Sequence, residues 1–100
     1  MIPVSKPYLK GNELRYITEA LATDWISFKG PYVERFENAF AAYIGTKYAV
    51  ATTSGTTALT LALAALNLRP GDEVIVPEFT MISSAMAAAY HFATLVFVDC

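Results

Sequence analysis

Residues 52–99 read TTSGTTALTLALAALNLRPGDEVIVPEFTMISSAMAAAYHFATLVFVD, and the punctuation of this stretch decides the fold. GTTALTLALAAL reads as a helix from about Thr56 to Leu66, DEVIVP as a strand, MISSAMAAAY as a helix and TLVFVD as a strand. The preceding KYAVATT, residues 47–53, reads as one more short strand. Strands alternating with helices predict parallel pairing through right-handed crossovers, and so an α/β domain.

The helix after Gly55 is apolar nearly all round, through Ala58, Leu59, Leu61, Ala62, Leu63, Ala65 and Leu66, so both of its sides need cover. The sequence reaches FVDC directly after the third predicted strand. Residues 47–100 are therefore read as the start of a βαβαβ sheet at the front of a larger fold. Residues 1–46 are read as a helical part. Pro3 and Pro7 keep the opening extended, and Leu14, Ile17, Ala20 and Leu21 mark an amphipathic helix from Asn12, its cap, to about Ala22. Pro31 suits the first turn of a second helix running to about Ile44, with Val33, Phe36, Ala39, Phe40 and Tyr43 on one face and Gly45 as its stop.

Composition narrows the function classes. With 55% apolar and 16% charged residues the chain is not disordered, and its net charge of -2 with scattered basic residues offers no footprint for nucleic acid. The single cysteine, Cys100, excludes an intrachain disulfide and fits a reducing, cytoplasmic setting. The start MIPVSKPYLKGNE is not patterned as a signal peptide, and the apolar-rich stretch from Ala58 to Leu66 is far shorter than the roughly 20 residues that span a membrane.

TTSGTT places five hydroxyl side chains around one glycine where a strand leads into a helix. In a parallel sheet, ligands sit at the carboxyl ends of the strands. Gly55 permits close approach of the backbone, Ser54, Thr56 and Thr57 carry hydroxyls, and a helix N-terminus favours an anion such as phosphate. The same residues also suit a plain helix cap. The motif has one glycine and no following lysine, so it is neither a dinucleotide fingerprint nor a P-loop. A second candidate, PEFTMISSA, residues 77–85, lies at the end of the next strand, where Met81 and Glu78 face the same crevice or serve as a core and a turn residue. His91 has no partner in sequence for a metal site, and Asp72 and Glu73 are read as turn and strand-entry residues.

Taken in order, IPVSKP, TDWISFKGPYVERFENAFAAYIGTKYAV, SGTTALTLALAAL, RPGDEVIVPEFT and VFVD resemble the N-terminal part of the DegT/DnrJ/EryC1/StrS family of pyridoxal-phosphate-dependent aminotransferases, which act on nucleotide-linked keto sugars. The resemblance covers nearly the whole chain. It implies the N-terminal part of a fold-type-I large domain with a mostly parallel sheet, followed in relatives by the rest of that domain and a small domain, in a homodimer. It implies that Gly55 and Thr56, with Ser54 or Thr57, hold the phosphate of pyridoxal 5'-phosphate. Met81 stands against the cofactor ring where an aromatic residue is common. Trp25, Ile26 and Ser27 belong to a loop that borders the sugar-nucleotide site, or Trp25 is buried in a subunit contact. Phe92 and Leu95 depart from the family pattern, where Gly and Pro are usual.

The implied reaction moves an amino group from glutamate to a keto sugar, with the lysine and the acid that engage the cofactor beyond position 100. No catalytic residue is thus expected within this chain. The similarity of WISFKGPYVERFE to enzymes of perosamine-type synthesis points to a 4-keto-6-deoxyhexose and to surface-polysaccharide biosynthesis. The alternatives are a deoxygenating dehydratase of the same family and a non-catalytic or split fragment.

Overall fold

The computed structural model describes residues 2–100, which form two compact units divided after Val50. The first carries two helices, α1 (Glu13–Ala22) and α2 (Pro31–Ile44). Asn12 occupies the cap position of α1 as the sequence predicts, but its side chain makes no cap bond. Glu13 instead folds back so that its carboxylate accepts the Gly11 N–H at 2.8 Å. Pro31 opens α2 after the extended Gly30, whose missing side chain matters because a Cβ there would lie 3.1 Å from the Ser27 carbonyl oxygen. The two helices meet through the rings of Tyr16 and Tyr32, 5.5 Å apart. Much of the predicted apolar stripe of α1 is open, with Leu14, Ile17 and Leu21 all exposed.

The second unit runs α3 (Gly55–Ala65), β1 (Glu73–Pro77), α4 (Ser83–Ala89) and β2 (Thr94–Val98). β1 and β2 pair in parallel, with Val76 opposite Phe97, and α4 is the crossover between them. The sequence RPGD makes the entry turn: Pro70 fixes φ, Gly71 takes φ +96°, the Asp72 amide donates to the Arg69 carbonyl at 3.0 Å, and the Asp72 carboxylate accepts the Arg69 N–H at 2.7 Å. Val76, Ala87 and Ala88 are the buried residues of this unit. The small alanines let α4 lie close on the strands, and α3 packs on α4. Leu59, Leu61 and Leu66 remain exposed on α3, as an all-round apolar helix with cover on one side requires.

One expected strand does not form. Residues 48–52 enter no ladder, so the predicted βαβαβ start is here αβαβ. A strand exists only through its partner's backbone groups, and residues 48–52 pair with neither open edge of the two-stranded β1–β2 sheet.

All four helices among the described residues are followed by a left-handed residue: Asp24, Gly45, Asn67 and Phe92. After α1 the Trp25 amide reaches the Ala20 carbonyl at 3.1 Å and the Asp24 amide reaches Leu21 at 3.3 Å. After α4 the Ala93 amide reaches Ala88 at 3.3 Å and the Phe92 amide reaches Ala89 at 2.9 Å. These paired bonds are the Schellman closure, which satisfies carbonyls that a helix end leaves open.

Candidate functional site

The TTSGTT segment becomes the opening turn of α3. Ser54 is extended and caps the helix, its Oγ accepting the Thr57 N–H at 3.3 Å. Thr57 Oγ1 accepts the Ser54 N–H at 3.1 Å and donates to the Ser54 carbonyl at 2.8 Å. The two side chains therefore lock each other, which leaves the Ser54 hydroxyl proton free to turn, either to Thr57 Oγ1 at 3.2 Å or outward.

The amides of Gly55 and Thr56 precede any intrahelical acceptor. The Thr56 hydroxyl makes no hydrogen bond among the described residues. A Cβ built on Gly55 would meet nothing within 4 Å, and no acidic residue lies in the first turn to compete for an anion. Two amides, a Thr56 hydroxyl and a Ser54 hydroxyl thus surround open space at the positive end of a helix. Those donors suit a phosphate group.

Met81 lies in the turn after β1, 74% exposed, with its carbonyl accepting the Ser84 amide at 3.0 Å as α4 begins. This turn lies at the carboxyl end of β1 and leads into α4, the helix against which α3 packs. The thioether is available to pack on a flat ring.

Trp25, Ile26 and Ser27 belong to the first unit, between its helices. With Tyr16, Ala20 and Tyr32 they line a shallow hollow of about 330 Å³. Trp25 is 50% exposed there. The loop is held by the Gly30 amide donating to the Ser27 carbonyl at 2.9 Å. Beside it, Arg35 donates to the Tyr16 hydroxyl at 3.4 Å, and the guanidinium groups of Arg15 and Arg35 lie 4.8 and 5.1 Å from its ring centre. Arg15, then the charge of Arg35, hold the Tyr16 phenol below its ordinary pKa. Tyr32 is pushed the other way by desolvation and then by Glu19, and its hydroxyl is enclosed without a hydrogen-bond partner.

Residues 7–100 match the DegT/DnrJ/EryC1/StrS aminotransferase family. The chain belongs to that family. It is 52% identical over 98 residues to the GDP-perosamine synthase of Caulobacter vibrioides, covering 98% of this chain and 26% of that relative. Among solved structures, an aminotransferase from Psychrobacter cryohalolentis is 35% identical with a TM-score of 0.83, covering 97% of this chain and 25% of that one. A GDP-4-keto-6-deoxy-D-mannose-3-dehydratase of Escherichia coli with bound hydrated PLP is 32% identical, also with a TM-score of 0.83, covering 97% of this chain and 26% of that one. The chain thus spans about a quarter of the length of the relatives it matches.

Within this family member, sequence reasoning located the hydroxyl cluster but not its division of labour between Ser54 with Thr57 and Gly55 with Thr56. The S-x-x-T spacing, a capping-box pattern with Thr in the acid's place, carried that signal. It also missed the Tyr16–Tyr32 pair and the tie between His91 and α3. Residues far apart in sequence leave no periodic mark of such contacts. Among the described residues no cluster of His, Cys, Asp and Glu could hold a metal, and no helix is long and apolar enough to cross a membrane.

Proposed function

We propose that this chain is the opening segment of the large domain of a pyridoxal-phosphate-dependent aminotransferase. The enzyme moves an amino group from glutamate to a nucleotide-linked 4-keto-6-deoxyhexose in surface-polysaccharide synthesis, as a cytoplasmic homodimer. The observation that carries this reading is the α3 opening, where uncommitted donors face open space at a helix N-terminus, in a chain about half identical to a GDP-perosamine synthase. The donor set fits the cofactor's phosphate.

In this reading the amides of Gly55 and Thr56 and the hydroxyls of Thr56 and Ser54 bind the phosphate. Thr57 holds Ser54 in place. Met81 covers a face of the cofactor ring and limits water there. Trp25, Ile26 and Ser27 form the wall that meets the sugar nucleotide. When bound, pyridoxal phosphate supplies the carbonyl carbon that carries nitrogen between donor and acceptor. Overall, glutamate leaves as its 2-oxo acid while the sugar's C=O becomes CH–NH2, so nitrogen and hydrogen balance.

A second reading, deoxygenation of the sugar, is favoured by the likeness to the GDP-4-keto-6-deoxy-D-mannose-3-dehydratase. One experiment separates the two. The full-length protein, given glutamate and a nucleotide-linked 4-keto-6-deoxy sugar, should form an amino sugar nucleotide seen by mass spectrometry, with one 2-oxo acid released for each. Loss of a hydroxyl from the sugar without nitrogen gain would favour the dehydratase. Neither product would overturn both readings.

A further inference from the structure

We infer that His91 is a positioning residue for the phosphate cradle, an inference that rests on the reading of that cradle given above. His91 follows α4 and reaches across to α3, with its Nε2 3.0 Å from the carbonyl oxygen of Thr60. A carbonyl only accepts, so Nε2 carries the proton and donates. The Thr60 hydroxyl in turn donates to the Thr56 carbonyl at 2.9 Å. Thr56 is the cradle residue with an open amide and an open hydroxyl. Two hydrogen bonds made by different groups of Thr60, its carbonyl and its hydroxyl, therefore link the end of α4 through the Thr60 backbone to the carbonyl of Thr56, one turn of α3 or about 6 Å of rise away.

The placement matters because α4 starts directly after the turn that holds Met81, and α3 starts at the phosphate donors. The two helices pack on one another. The spacing between cradle and ring-covering turn is then set by how α3 sits on α4. Apolar packing between the two helices has no directional preference of its own. A directional bond from His91 into a fixed carbonyl supplies the missing constraint. Half-buried His91 has water on one side only, so the bond is not freely exchanged for one to solvent.

The test compares pyridoxal phosphate with pyridoxal, which lacks the phosphate, by absorbance titration of the full-length protein. His91→Leu keeps bulk but removes the donor; His91→Gln restores a donor near the Nε2 position. H91L should lower the preference for pyridoxal phosphate over pyridoxal by about fivefold, the worth of one ordinary hydrogen bond, and H91Q should retain it. A purely structural role would weaken both ligands together and leave the ratio unchanged, which would overturn the inference, as would an H91Q variant no better than H91L. Wild-type protein with no preference for the phosphorylated ligand would overturn the cradle itself and the role of His91 with it.

Discussion

Phe92 offers a direct test of how backbone conformation is distributed along this chain. It sits at φ +57° in the Schellman closure of α4, where the other helix ends use Asp24, Gly45 and Asn67. Asp, Asn and Gly tolerate this region, whereas a bulky aromatic residue there is a strained exception. Its ring is 78% exposed, so little packing compensates. Replacing Phe92 by Gly and by Ala removes the ring in both cases, and the comparison isolates the backbone. Alanine keeps the left-handed penalty of about 1–2 kcal/mol, while glycine gives up about 0.4–1 kcal/mol through the greater freedom of its unfolded chain. F92G should therefore be more stable than F92A by about 0.5–1 kcal/mol, measured by urea unfolding of the full-length protein at fixed concentration without cofactor. The order should invert at the half-buried Ala85 within α4, where glycine loses about 1 kcal/mol to alanine. Equal or greater stability of F92A over F92G would refute the reasoning.

Two further predictions address the site and the helix pair. Gly55→Val places its side chain in open space, so the fold should keep its circular dichroism while affinity for pyridoxal phosphate falls at least tenfold by titration, as lost approach to two amide bonds implies. Unchanged affinity would remove Gly55 from the cradle. In alkaline titration by phenolate absorbance, Tyr16 should ionise below the ordinary 10.0 and Tyr32 above it, so Tyr16→Phe should delete the early step and Tyr32→Phe the late one. The signs for stability are opposite. The Tyr16 contribution is present above pH 10 and lost as pH falls through its lowered pKa, while the Tyr32 contribution is present below pH 10 and lost as pH rises through its raised one.

Local chemistry was legible where a single residue decides a conformation. Pro31 and Gly45 bracket α2 as expected, and RPGD makes a turn whose proline and glycine each have one conformational task. The end of α1 falls at Ala22 as expected, whereas the left-handed Asp24 and Phe92 that follow α1 and α4 carry no signal in composition. The strand expected at KYAVATT failed for another reason. Its apolar run states that it can be a strand, whereas its existence depends on pairing with an edge, and that information lies outside the segment. The exposed stripe of α1 and the open side of α3 follow the same logic: pattern states that a face wants cover, not what covers it.

The candidate site divides along the same line. Glycine flanked by hydroxyls at the start of a helix suits an anion, since close approach and helix polarity are properties of that turn alone. Which hydroxyls remain available is decided by geometry. Ser54 and Thr57 hold one another, so the donors with no partner are the amides of Gly55 and Thr56 and the Thr56 hydroxyl, while the Ser54 proton turns either to Thr57 or away from it. A cap and an anion site are therefore not competing readings of TTSGTT. The capping box occupies the Thr57 amide and fixes the first turn, and the two preceding amides remain without an intrahelical acceptor. The bond that organises the helix end thus uses one amide of the first turn and leaves the two before it open.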